Sequence, residues 1–326
     1  MNSMQHFLEP GAAAVTAWLA EHGEPAYRAA QLRQWMFSTR AGSFDEMTDL
    51  PRELRAAIAA DFRLWTASVA RHNRSDDGTE KLLLDLEDHQ QIECVLLRDG
   101  SRRTICISTQ VGCAMGCVFC ASGLSGVARN LTAGEIVEQM LLLARLLPAL
   151  AEATSPSGLG ISPRRITIST VGLPPAIHRL ADEGCRYNLA VSLHAPNDEL
   201  RTQLVPVNTN IGLQPILEAA DHYFDASGRR LTFEYVLLGG INDQVDHARE
   251  LASLLRSRTA LVNVIPYNPV AGLPYITPSK RAVARFLDVL RAAGLNVQVR
   301  ERKGDKIDAA CGQLRRTAMS TAAAAL

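Results

Sequence analysis

The chain has 326 residues, and its 34 Lys and Arg balance 34 Asp and Glu, so its formal net charge is zero. A hydrophobic content of 47% and a charged content of 21% are typical of a globular protein. No apolar run approaches the ~18 residues that a membrane-spanning helix needs, and residues 1–10 lack the basic flank and apolar core of a secretory signal. We therefore expect a cytoplasmic protein without membrane contact, whose contacts with nucleic acid, if any, are local.

The N-terminal part of the sequence predicts a small helical unit. Apolar residues recur at three- and four-residue spacing over 13–20 and 25–37, which indicates two helices. Pro51 fits the start of a third helix, because proline is favoured at the first helical position. We expect this unit to end near residue 70.

A turn and a hairpin are predicted next. The polar run 71–79, which contains Asp-Asp-Gly, predicts a turn or linker. Two apolar runs at 81–86 and 91–97 are separated by a short polar stretch, which is typical of a β-hairpin.

From residue 103 the pattern changes to alternating strands and helices, which predicts a parallel sheet as an open sheet or as a full or partial barrel. Thr132 with Glu135 three residues later forms a capping-box pattern and predicts the start of a long helix. The predicted strands are 103–108, 165–169, 188–193, 231–238, 261–266 and 296–300. The other predicted helices lie near 174–183, 213–224, 243–256 and 279–292.

Polar and sulfur-bearing side chains lie at or just past the ends of these strands. In barrels of this kind the chemistry lies at the C-terminal strand ends, so we expect one shared site. Its members are Cys113, Ser169, Ser192, His194 and Asn268. The segment 151–164, rich in Ser, Pro and Gly, has no predicted strand, so one βα unit of about 30 residues is expected to be missing.

Three of the seven cysteines form a cluster whose spacing indicates metal chemistry. Cys113, Cys117 and Cys120 are separated by four and three residues, and an odd number of cysteines argues against a fully paired disulfide framework. Three thiolates suit a four-iron cluster and leave one iron open, which S-adenosylmethionine (SAM) can chelate. Gly112 and Gly116 suit a loop that wraps closely around such a cluster.

Two other interpretations of these cysteines remain open. Positions 113, 117 and 120 share one face of a helix and so fit core residues, although two nearby glycines disfavour that helix. A zinc site is the second alternative, but structural zinc usually has four ligands and no fourth Cys or His lies nearby.

Beyond the cysteines, several segments in the same order resemble the RlmN/Cfr family of radical SAM RNA adenine methyltransferases. The similarity extends from about residue 25 to 316. The segments are Asp45–Pro51, Thr104–Gln110, Cys113–Cys120, Arg129–Thr132, Ser192–Asp198, Ile265–Pro269 and Asp308–Leu314.

The resemblance implies an α/β fold, a partial (βα) barrel of the radical SAM type with a small N-terminal helical domain. It also implies a [4Fe-4S] cluster and SAM as cofactors. The expected parts are an RNA-binding N-terminal domain 1–70, a linker and hairpin 71–102, a barrel core 103–300 and a tail 301–326 that carries Cys311. The residues that match SAM contacts of the family are Ser169, Ser192, Leu193, His194 and Asn268.

The function implied by the resemblance is methylation of adenine at carbon 2 in 23S rRNA and possibly in tRNA. Cys311 would carry the methyl group, Cys106 would close a disulfide with it to release the product, and Glu93 would accept a proton. Relatives that act at carbon 8 also occur, so the ring position is not decided by the sequence. A flavodoxin-like electron donor and a monomeric state are expected.

One segment of the family pattern is missing. Family members have a Gly-Glu-Pro segment that binds the amino group of SAM, and no Gly-Glu-Pro occurs in this chain. It would fall within 151–164, the stretch without a predicted strand. The alternative hypothesis is therefore an inactive RNA-binding relative that keeps the iron–sulfur cluster but lacks methyl transfer.

Overall fold

A computed structural model of the chain describes residues 5–9, 12–100, 102–124, 126–145 and 161–300. The described chain divides into two compact units. The first contains residues up to 112, together with 127–145 and 161, and the second contains 113–124, 126 and 162–300. Within the described ranges, none of the helices has the length and apolar character that crossing a membrane would require.

The N-terminal part of the first unit is helical, as predicted. Its core contains Leu19, Leu32, Met36, Met47 and Ile58, each no more than 1% exposed. A short parallel pair of strands joins the two ends of this part. The elements are β1 (Gln5–His6), α1 (Ala12–Glu21), α2 (Tyr27–Arg33), a π-helix (Gln34–Thr39), α3 (Arg52–Asp61) and β2 (Phe62–Arg63).

A four-stranded antiparallel sheet follows in the same unit. Its strands, in spatial order, are β3 (Ser68–Arg74), β4 (Glu80–Asp85), β5 (Gln91–Asp99) and β6 (Arg102–Cys106). The predicted hairpin is confirmed as β4 and β5. The predicted turn over 71–79 is wrong for 71–74, which belong to β3. Almost every residue of this edge strand is exposed, so its sequence lacks the apolar alternation that marks a half-buried strand.

The strand predicted at 103–108 is present as β6, but it pairs antiparallel with β5 and is not the first strand of a parallel sheet. After it come β7 (Gln110–Gly112) and β8 (Val127–Asn130), which pair antiparallel, and α4 (Ala133–Arg145). The capping box is confirmed. The Thr132 backbone N–H donates to Glu135 Oε2 at 2.9 Å, and the Glu135 N–H donates to Thr132 Oγ1 at 3.2 Å.

The second unit is built on a five-stranded parallel sheet in the order β13–β12–β11–β10–β9. Its core lies between the sheet and the helices that follow the strands, and it includes Phe233, Leu251 and Phe286. The strands are β9 (Thr167–Thr170), β10 (Asn188–Ser192), β11 (Leu231–Leu237), β12 (Ala260–Pro266) and β13 (Asn296–Val299). The helices are α5 (Pro174–Asp182), α6 (Asp198–Leu204), α7 (Leu213–Ser227), α8 (Val245–Leu255) and α9 (Lys280–Ala292).

The alternation of strands and helices in this unit is confirmed, with end points within three residues of the predictions. The short helix α6 was not predicted, and it follows directly on Pro196 and Asn197. Most of the segment 151–164 lies outside the described residues. Its described part, 161–164, contains no strand, and Pro163–Arg165 forms one turn of 3₁₀-helix before β9.

Candidate functional site

The three clustered cysteines lie on an irregular loop in the second unit. Described residues between Gly112 and the 3₁₀-helix Ala121–Gly123 form turns and irregular backbone, so the interpretation of the cysteines as one face of a helix is wrong. The Cys113 N–H donates to Gly126 O at 2.8 Å, and the Cys120 N–H donates to Cys117 O at 3.1 Å. The first bond closes the loop between Cys113 and Gly126, and the second forms a tight turn from Cys117 to Cys120.

Glycines permit this loop in two different ways. Gly116 has φ +63°, a left-handed conformation that side chains rarely adopt. Gly123 is needed for space, because an added Cβ would lie 3.1 Å from Cys117 N and 3.3 Å from Cys117 O. The sequence prediction missed Gly123, and its short spacing from Cys120 was the available signal.

The electrostatic environment of Cys117 fits a metal-bound thiolate. Its side chain is buried, and burial, together with the neighbouring Cys120 and Cys113, raises the pKa of the thiol to about 12. A thiol with this pKa ionises at neutral pH when a bound cation compensates the charge, which iron would do. The donor set of three sulfurs therefore fits a [4Fe-4S] cluster held by Cys113, Cys117 and Cys120.

A single zinc ion would require a different arrangement of the three cysteines from the one that an iron–sulfur cluster requires. Zinc holds each sulfur at about 2.3 Å, so its ligands must converge on one point. In the part of the chain that the structure describes, no three His, Cys, Asp or Glu side chains form such a group. A four-iron cluster does not require convergence, because each thiolate binds a different iron.

The predicted SAM contacts of the second unit lie near the C-terminal ends of neighbouring parallel strands. Ser169 is on β9 and pairs with Ala190, two residues before Ser192 at the end of β10. Asn268 lies two residues past the end of β12. The sheet therefore places these residues at the same edge.

His194 connects this edge to the cysteine loop. Its ring lies edge-on to Phe119, with ring centroids 5.1 Å apart, and its backbone has φ +63°. Nδ1 accepts a hydrogen bond from the Val236 N–H at 3.1 Å. Burial, with a smaller effect from Arg201, lowers the pKa of His194 to about 3, so the ring is neutral near pH 7. Leu193, its neighbour, is completely buried.

Two polar residues that the sequence prediction missed also belong to this edge. Asn242 is fully buried and donates to His194 O and Val236 O at 2.8 Å each, so it ties the ends of β10 and β11 together. Glu234 pairs in register with Ser192, and burial raises the pKa of its carboxyl. A polar residue alternating with apolar ones along Leu231–Leu237 was the signal for Glu234.

Glu93 and Cys106 lie in the first unit, on the antiparallel sheet. Cys106 is exposed and pairs with Val95, and Glu93 is two residues away on the same face of β5. Glu93 Oε2 lies 2.7 Å from Lys81 Nζ, in a pair whose side chains are 8% and 0% exposed. Cys311 lies outside the described residues, so the disulfide between Cys106 and Cys311 stays a prediction.

Comparison with known proteins identifies relatives over nearly the whole chain. Residues 7–64 match the family described as Ribosomal RNA large subunit methyltransferase N-terminal domain. The chain is 62% identical, over an alignment of 324 positions, to a probable dual-specificity RNA methyltransferase RlmN from Rhodopirellula baltica, covering 92% of this chain and 87% of the relative. It is 43% identical to a protein of the same name from Halalkalibacterium halodurans, covering 91% and 90% of the two chains.

The fold of this chain is also similar to that of a solved structure. A radical SAM methyltransferase from Sphaerobacter thermophilus superposes with a TM-score of 0.90 at 41% identity, covering 95% of this chain and 98% of the other. This similarity confirms the predicted α/β fold of the radical SAM type.

Proposed function

This chain belongs to the RlmN family of radical SAM RNA methyltransferases, and we propose that it methylates carbon 2 of adenine in 23S rRNA, and in tRNA, in the cytoplasm. One observation carries the proposal. The cysteine loop packs against the strand edge that bears the candidate SAM contacts, through Phe119 and His194. A cluster on this loop would therefore lie beside a molecule bound at that edge.

The cofactors of this family are a [4Fe-4S] cluster and SAM. When bound, they supply a carbon radical, which can react at an aromatic carbon that is too weakly nucleophilic for ordinary methyl transfer. The chain's own residues hold and shield them. Cys113, Cys117 and Cys120 bind iron, while Ser169, Ser192, Leu193, His194 and Asn268 bind SAM.

Two further cysteines and one carboxylate act on the methyl group and the base. The Cys311 sulfur carries the methyl carbon, which would lose one hydrogen atom to that carbon radical and bond to the adenine carbon. Glu93 takes the proton that this adenine carbon loses, and the odd electron left on the base would return to the cluster. The Cys106 thiolate then attacks the sulfur of Cys311, so that an S–S bond forms as the Cys311 S–C bond breaks. The electron pair of the broken bond stays with the methylene group, which takes up a proton to complete the new methyl group. The exposure of Cys106 supports this role, because the attacking thiol has to be accessible. A flavodoxin-like protein would supply electrons to the monomeric enzyme.

The test is reconstitution of the full chain without oxygen, followed by reduction in the presence of SAM and RNA that carries the unmodified adenine. We expect four irons per chain, SAM cleavage and 2-methyladenine, identified by mass spectrometry against a standard of 8-methyladenine. A 23S rRNA fragment and a tRNA are offered separately. Methylation only at carbon 8 would contradict the assigned ring position.

A second candidate is favoured by the alignment with the Rhodopirellula baltica relative. That alignment has 324 positions but contains only 92% of this 326-residue chain, so about two dozen of its positions have no counterpart here. The number approaches one βα unit of about 30 residues. An inactive RNA-binding relative that keeps its cluster would therefore bind four irons and RNA but fail to cleave SAM.

A further inference from the structure

A fully buried arginine lies next to the proposed cofactor site. Arg201 is on α6, the helix that follows β10, and its side chain is not exposed to solvent. Removing a guanidinium from water is costly unless its donors are satisfied and its charge is compensated. The roles proposed above do not involve this residue.

The guanidinium joins the ends of two neighbouring strands. Nη2 donates to Val171 O at 2.6 Å, just past the end of β9, and to Ser192 O at 3.1 Å at the end of β10. Nε donates to Leu193 O at 3.1 Å, and Nη1 donates to Asn208 Oδ1 at 2.5 Å. Two of these carbonyls belong to Ser192 and Leu193, which are themselves candidate SAM contacts.

The same helix supports the cysteine loop. The Val118 N–H donates to Leu204 O at 3.1 Å, at the C-terminal end of α6, and Leu204 packs in one apolar cluster with Cys117. Arg201 and Cys117 also lie close enough to interact electrostatically. Burial lowers the pKa of Arg201 to about 10, so it keeps its proton near pH 7.

We propose that Arg201 is a positioning residue, which fixes the strand ends that bind SAM and places a permanent positive charge beside the cluster loop. This inference rests on the cluster site of the proposed function. One electron from a low-potential donor makes the cluster more negative. A nearby cation stabilises the reduced form more than the oxidised form and raises the reduction potential.

Two substitutions separate the charge from the hydrogen bonds. Arg201→Gln removes the charge, whereas Arg201→Lys keeps it but loses the planar fork that reaches several carbonyls. The reconstituted proteins are titrated with dithionite and with SAM, and electron paramagnetic resonance reports the reduced cluster. Arg249→Gln is the matched control, because Arg249 is exposed and pairs with Asp246 at the surface of α8.

For Arg201→Gln we expect about a tenfold lower ratio of reduced to oxidised cluster at a fixed potential, which corresponds to 59 mV for a one-electron couple. For Arg201→Lys we expect a nearly unchanged potential and about tenfold weaker SAM binding. Arg249→Gln should match the unmodified chain in both measurements. Four irons in Arg201→Gln with an unchanged potential and unchanged SAM binding would overturn the inference.

If Arg201→Gln does not fold, a second variant tests the electrostatic effect, because it is expected to shift the reduction potential in the opposite direction. Asp198 is exposed and its charge acts on Arg201. Asp198→Asn keeps an oxygen that can accept from the Leu213 N–H, now at 2.7 Å, but removes the negative charge. It should raise the potential, and a lowered or unchanged potential would overturn the electrostatic part. Absence of iron from the unmodified chain would instead defeat the proposed function.

Discussion

Cys94 and Cys117 are both buried cysteines whose thiol pKa is raised to about 12, yet they belong to regions of different chemistry. Cys94 lies on β5 among apolar side chains such as Leu82 and Leu96, and burial is the main cause of its raised pKa, with smaller effects from Cys106 and Glu93. Cys117 has two other thiols and the cation Arg201 as neighbours. Burial alone therefore does not identify a metal ligand, and the side chains around the sulfur are what distinguish Cys117 from Cys94.

The largest expected effect is the loss of the cluster on removal of one ligand. Cys117→Ser should retain almost no iron and should not cleave SAM, because two thiolates cannot hold the cluster in place. Cys94→Ala should bind four irons, since its thiol packs in the core of the antiparallel sheet. Iron analysis and visible absorption of the two reconstituted variants measure the difference. Equal iron contents would contradict the assignment of Cys117 as a ligand.

The next effect concerns the exposed thiol of the antiparallel sheet. Cys106→Ala should accumulate a covalent complex between the chain and the RNA, at most one per chain, because no thiolate remains to release Cys311. Gel electrophoresis under denaturing conditions detects the complex, and nuclease digestion with mass spectrometry locates the bond. Cys185→Ala, which changes a half-buried cysteine after α5, is the control. Free methylated RNA at the normal yield from Cys106→Ala would refute its role.

The sequence predicted these regions to different extents for physical reasons. The five parallel strands and the cap at Thr132 were predictable, because apolar periodicity and capping are local patterns. The edge strand Ser68–Arg74 was missed because it buries almost nothing. The roles of Arg201, Asn242 and Glu234 depend on partners that only folding brings close, such as Val171 for Arg201 and His194 for Asn242.

A smaller effect concerns His194, the neutral histidine just past the C-terminal end of β10, and it appears as a dependence of stability on pH. The folded chain keeps the pKa of His194 near 3, whereas the unfolded chain has the ordinary 6.5, so acid favours the unfolded state. The contribution of neutral His194 to the free energy of unfolding is therefore full above pH 6.5 and is lost as the pH falls towards 3. Between pH 7 and pH 5, the unmodified chain should lose about 2 kcal/mol of unfolding free energy relative to His194→Asn.

Asparagine is the suitable replacement because it tolerates the positive φ of this position. Urea unfolding of the cluster-free chains at several pH values gives the two stability profiles. A constant difference between them across this range would mean that His194 takes up its proton at the same pH in the folded and the unfolded chain, contrary to its burial.

The smallest effect separates the two reasons for glycine in the cysteine loop. Gly116→Ala has free space around the new methyl group but must keep φ +63°, so it should cost about 1 kcal/mol of unfolding free energy. Gly123→Ala does not need a left-handed backbone, but its methyl group meets Cys117 N at 3.1 Å and has to displace it. Iron release to a chelator should therefore be faster from Gly123→Ala than from Gly116→Ala, even where urea unfolding shows similar stabilities. Equal rates of iron release would mean that the backbone at Cys117 can shift without disturbing the cluster. The left-handed conformation of Gly116 would then be sufficient to explain why this loop contains glycine.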